Sequence, residues 1–127
     1  MNEIYLTNET SGISPAEVEK CMDELLAQYP GLKKVLIIPP DFTRCYSYAG
    51  ELTQVLYKKL SPTATVHVMP ALGTHMAMDG EEKEKMFGSV VPEEAFLVHH
   101  WQTDTVSIGK VPQEVIEEIS GGLYSTD

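Results

Sequence analysis

The chain has 127 residues, 43% hydrophobic and 22% charged, which suits one domain that buries roughly two thirds of its unfolded surface. Nine Lys and Arg face nineteen Asp and Glu, a formal net charge of −10, and this balance argues against nucleic-acid partners and anionic membranes, both of which need a basic face. Two cysteines, Cys21 and Cys45, are too few for a disulfide framework or a cysteine-based zinc site. No run reaches transmembrane length and the N-terminus lacks a secretory leader's basic-then-apolar layout, so the cytoplasm is the expected compartment.

In chain order, Glu3 to Leu6 reads as a short edge strand. Ser14-Pro15-Ala16-Glu17 is a capping box with proline at the first helical position. Val18, Met22, Leu25, Leu26 and Tyr29 then fall on one helical face, and Pro30-Gly31 stops the helix. Val35-Leu36-Ile37-Ile38 is apolar on both faces, as a central parallel strand is. Ser47 can cap a second helix that turns Leu52, Val55, Leu56 and Leu60 to the core and carries Lys58 and Lys59 where the helix dipole favours cations.

Thr65 to Met69 is the next strand, and Asp79-Gly80-Glu81-Glu82 opens a short helix that Gly88 ends. Phe96 to Val98 is another apolar strand, and Thr105 to Ile108 adds a further strand or an extended segment. Pro112 to Ile119 is a last helix expected to bury Val115, Ile116 and Ile119 before Gly121-Gly122. Strand alternating with helix predicts an α/β fold: a three-layer domain with a largely parallel central sheet and helices on its faces. Residues 1–127 read as a single domain, either a whole small protein or the opening domain of a longer one.

Three of these strands stop at clusters of chemically able residues. The first leads through Pro39-Pro40 into Asp41-Phe42-Thr43-Arg44, the second into Gly73-Thr74-His75, the third into His99-His100-Trp101-Gln102-Thr103-Asp104. Parallel strands bring these ends to one edge of a sheet, where open α/β folds bind ligands. Arg44 offers a planar fork for a carboxylate or phosphate, and Asp41 holds a sugar hydroxyl or orients a neighbour; the plainer alternative is an Asp–Arg pair that pins the loop. His75 follows a glycine that lets a ligand approach, and reads either as a general base or as a structural histidine.

His67 alternates with valines and reads as a satisfied sheet or core residue. His99 and His100 would point to opposite faces of a continuing strand, so they do not share one metal. His100 and Asp104 border the crevice. No zinc motif, Walker loop, dinucleotide fingerprint or nucleophile elbow occurs.

Asp41-Phe42-Thr43-Arg44 resembles the D-x-T-R motif of the lactate racemase family, and Gly73-Thr74-His75-Met76-Ala77-Met78-Asp79-Gly80-Glu81-Glu82 resembles its G-T-H-R-x-M-T-x-x-E motif. His100 to Asp104, with Ile108-Gly109 and Ser120-Gly121-Gly122, is similar to a looser third block. The resemblance spans roughly Val35 to Leu123 and is to the family's N-terminal domain. Met76 departs from it where arginine is usual, and Trp101 where many relatives carry aspartate.

What the resemblance implies is an isomerase that racemises or epimerises a 2-hydroxy acid with a nickel-pincer nucleotide as hydride acceptor. His75 would be one of two alternating acid–bases and Arg44 the holder of the substrate carboxylate. Asp41, Thr43, Gly73 and Thr74 would lie at the cofactor. The family's nickel-ligating histidine, attachment lysine and second catalytic histidine belong to a C-terminal domain absent from these residues. No metal ligand is therefore expected here, and the isolated chain is expected to be inactive. The competing expectation is a free-standing binding or interaction domain of the same fold without chemistry.

Overall fold

The computed structural model describes residues 3–126. Its first regular element, α1 (Pro15–Leu26), starts where the sequence says it should. The Ser14 hydroxyl accepts from the Glu17 N–H while the Glu17 carboxylate accepts from the Ser14 N–H. Such a cap stabilises a helix start by about 1 kcal/mol.

Strands β1 (Lys34–Ile37) and β2 (Thr65–Val68) pair in parallel, with α2 (Ala49–Leu60) as the crossover between them. The register sets Val35 beside Val66 and Ile37 beside Val68. Alternation puts these on one face of the sheet, and that face carries the core. Val68 and Phe87 are fully buried, and Leu72, Met78, Met86, Val91 and Ala95 complete the cluster. The Phe87 and Phe96 rings meet at 5.4 Å between centroids.

α3 (Gly80–Phe87) begins at an Asp79–Glu82 capping box and ends at Gly88, and it packs against α2. Gly50 makes that approach possible, because a Cβ there would lie 2.1 Å from the Met86 carbonyl oxygen. α2 itself starts at Tyr48, which has a φ of 66° and no side-chain cap. The Ser47 hydroxyl, expected as the cap, accepts from the N–H of Ala49, the first helical residue, at 3.4 Å.

The sheet is smaller than the sequence suggests. Phe96 joins β2 through a single parallel bridge to Val68, secured by Leu97 N–H donating to the Val68 carbonyl at 2.8 Å. A 3₁₀ turn at Glu93–Ala95 runs directly up to that expected strand. Neither Glu3–Leu6 nor Thr105–Ile108 forms a strand, since an extended segment without a ladder partner gains nothing from being extended.

The three-layer expectation is also not met. The face of the sheet opposite the core leaves Leu36 47% and Ile38 57% exposed, so among the described residues no second helical layer closes over it. The last helix, α4 (Gln113–Ser120), capped by Gly121 in the left-handed conformation, could have supplied that layer. Its Val115 and Ile119 are instead exposed, contrary to the burial expected from their spacing.

Candidate functional site

Pairing between the two strands continues beyond their regular ends. Met69 N–H donates to the Ile37 carbonyl, Ala71 N–H to the Pro39 carbonyl, and Pro40 bridges Ala71 in parallel. The chain therefore leaves both strands side by side. Asp41 follows the last paired residue of one, and Leu72-Gly73-Thr74-His75 follows that of the other.

Each exit is a tight turn. Asp41 caps the 3₁₀ turn Phe42–Arg44, its Oδ1 accepting from Thr43 N–H at 3.2 Å and from the Thr43 hydroxyl at 2.5 Å. The Phe42 ring of this turn lies under Lys85 of α3, with Nζ 5.3 Å from the ring centroid. On the other exit, His75 N–H donates to the Leu72 carbonyl at 2.9 Å. Gly73 occupies the first central position with a φ of +58°, the conformation a type II′ turn asks of glycine.

The two turns meet in one contact. Asp41 Oδ2 lies 2.5 Å from His75 Nδ1, across 34 residues of sequence. The Asp41 side chain is 8% exposed and the His75 side chain 57% exposed, so a buried carboxylate holds an open imidazole from behind. Burial pushes the Asp41 carboxyl up. Hydrogen bonds from the Thr43 hydroxyl, from His75 and from the Thr43 N–H outweigh it and hold the group below its ordinary value of 3.8. An ionised Asp41 accepts the Nδ1 proton, which leaves Nε2 as the atom free to exchange one.

Arg44 continues the chain of contacts. Its Nη1 donates to the Thr43 carbonyl at 3.3 Å and to Thr43 Oγ1 at 3.4 Å, and that same hydroxyl donates to Asp41. Arg44 is the sole arginine of a chain with nineteen acidic residues, yet its exposed guanidinium forms no ion pair with any described carboxylate. The Asp–Arg pair that would merely pin the loop is not formed. Asp41 is paired with His75.

Beside His75 lies a cleft of about 480 Å³, lined by Leu72 and Thr74 to Ala77 on one side and by Val98 to Thr103 on the other. His99 and His100 both line it, because the strand ends before them and a turn begins, with Asp104 N–H donating to the His100 carbonyl at 2.9 Å. The expectation that they point to opposite faces assumed a continuing strand and fails with it. Asp104 borders an adjoining hollow of about 570 Å³ that shares His99 and His100. His67 sits within β2 on the face opposite the core, and its Nδ1 is buried without a partner among the described residues, so it is not the satisfied residue the alternation suggested. His99 and Trp101, placed by the sequence in the third strand-end cluster without a role, line the cleft alongside His100.

Among the described residues no group of three or more His, Cys, Asp or Glu could hold a metal ion. No described helix is long and apolar enough to cross a membrane. Gly73 leaves open space where a Cβ would stand, and Thr74 beside it is exposed on the cleft, so a planar or phosphorylated ligand can approach this backbone.

Residues 15–120 match the family of the lactate racemase N-terminal domain. The chain belongs to this family. No curated protein and no solved structure matches it. The match covers every element from α1 to α4, including both exit turns.

Proposed function

We propose that this domain is the catalytic N-terminal part of a lactate-racemase-like enzyme that racemises or epimerises a 2-hydroxy acid. The observation that carries the proposal is the line Arg44–Thr43–Asp41–His75. It sets an unpaired guanidinium and an oriented imidazole on adjacent strand exits, with the imidazole lining a cleft. A binding-only domain has use for Arg44, but not for a buried carboxylate that fixes the tautomer of an open histidine.

Arg44 binds the substrate carboxylate through its two-pronged face, as guanidinium does with planar anions. His75 Nε2 takes the proton of the 2-hydroxyl group and later gives it back. Asp41 is a positioning residue: it holds the proton on Nδ1 and fixes the ring plane, and Thr43 in turn fixes Asp41. This assignment departs from the cofactor-contact role first expected for Asp41 and Thr43, because the oxygens they would offer are already engaged with each other and with His75.

The nickel-pincer nucleotide, when bound, supplies acceptance and return of the hydride at the substrate carbon. Gly73 and Thr74 are the residues here that fit contact with such a group. The second acid–base that inversion requires comes from the C-terminal domain, so these residues alone do not racemise.

The test is the complete, cofactor-loaded gene product assayed on a panel of 2-hydroxy acids. Arg44→Lys should raise KM more than it lowers kcat, since a point charge replaces a planar fork. Asp41→Asn should lower kcat with KM nearly unchanged. Absence of racemase or epimerase activity across the panel, in a preparation that demonstrably holds the cofactor, would overturn the proposal.

A further inference from the structure

We infer that the preferred substrate is a monocarboxylic 2-hydroxy acid with a bulky apolar side chain, aromatic or branched, rather than lactate itself or a dicarboxylic acid. The inference rests on the proposed roles of Arg44 and His75 and adds the substrate class. Its basis is the wall of the cleft beside His75. Leu72, Met76, Ala77, Val98 and Trp101 supply an apolar lining, and the other lining groups are hydroxyl, amide and imidazole. No Asp, Glu, Lys or Arg lines the cleft, in a chain that carries 28 such residues, nine basic and nineteen acidic.

A second carboxylate on the substrate would thus enter a space with no fixed cation to receive it, at the cost of its hydration. The guanidinium of Arg44 lies on the neighbouring turn, outside the lining, and serves one carboxylate only. The available volume, about 480 Å³, far exceeds what a methyl group fills. Met76 and Trp101 stand 88% and 42% exposed there, and each has surface to gain from an apolar occupant. A thioether and an indole are the side chains best suited to flank an aromatic ring.

Trp101 is the sole tryptophan of these 127 residues, so the cleft carries its own reporter. The experiment titrates the complete protein with lactate, malate, 3-phenyllactate and 2-hydroxyisocaproate, following the indole fluorescence and the indole N–H resonance that Trp101→Phe removes. Phenyllactate and hydroxyisocaproate should saturate at concentrations at least about tenfold below lactate, since apolar pockets discriminate by that order per added carbon. Malate should bind most weakly, and Met76→Arg, at an exposed position, should improve malate relative to phenyllactate. Arg44→Ala should weaken every acid alike.

Lactate or malate binding as tightly as phenyllactate, with Arg44 still required, would overturn the substrate class and leave the assignment of Arg44 standing. An unchanged ranking in Met76→Arg would count against the same class. Binding that ignores Arg44 would remove the underlying reading and this inference with it, whereas no perturbation of Trp101 by any acid would overturn the substrate class alone.

Discussion

The strand exit that carries His75 and the segment from Val98 to Thr103 both border the cleft, but they are held in opposite ways. Asp41 and His75 are joined by a contact spanning 34 residues, and Asp41 is nearly buried behind it. The turn at His100–Asp104 is closed by its own backbone, and beyond it Val106 and Ile108 are 83% and 100% exposed. One wall is anchored in the core through tertiary contacts. The other is shaped locally and has apolar surface to spare. The difference teaches that preorganisation resides where two elements distant in sequence satisfy each other's polar groups.

The sharpest way to break this comparison is at its exposed end. His75→Ala should reduce turnover of the complete enzyme by about 10²–10⁴, the usual worth of a general acid–base, with a moderate fall in thermal midpoint because the buried Asp41 carboxylate loses one partner. A large drop in stability with intact turnover would turn His75 into a structural residue. The support beneath the anchored wall comes next. Gly50→Ala drives a methyl group into the Met86 carbonyl, so α2 and α3 must separate, and urea unfolding should register a loss of about 3 kcal/mol.

Asp41→Ala should cost about 2 kcal/mol, from the loss of hydrogen bonds to a charged group. Its pH dependence follows from the direction of the shift. The folded Asp41 carboxyl lies below its ordinary 3.8, so its contribution is present above that value and disappears as pH falls through the lower, folded value. Wild type and variant should therefore differ in urea midpoint at neutral pH and converge in strong acid. A gap that persists there would assign the effect to packing instead. The smallest effect belongs to the other region. Ile108→Ser should change stability by less than about 0.5 kcal/mol, because a fully exposed side chain has no burial to lose.

Much of this architecture is legible in the residues because its causes are local. Ser14 with Glu17 and Asp79 with Glu82 make their caps within four residues, and the start of each helix follows directly. The apolar run at Val35–Ile38 reads as a strand since it is too short for a helix and ends at two prolines. Asp41, Arg44 and His75 stood out as chemically able residues just past strand ends, which is a statement about order along the chain.

What escaped the sequence has causes that are not local. Periodicity reports that Val115, Ile116 and Ile119 share a helix face, but not whether anything covers that face. Phe96–Val98 has strand composition, yet only the neighbour available at Val68 decided how many rungs would form. That Asp41 grips His75 rather than Arg44 depends on the parallel pairing of Pro40 with Ala71, which delivers the two exits to the same place. The sequence by itself determined the helix caps, the strand-forming runs and which residues could do chemistry, since these rest on interactions within a few residues. Tertiary structure alone decided which of them touch, which face of the sheet is covered and how wide the cleft is, because those depend on the register and packing of segments far apart along the chain.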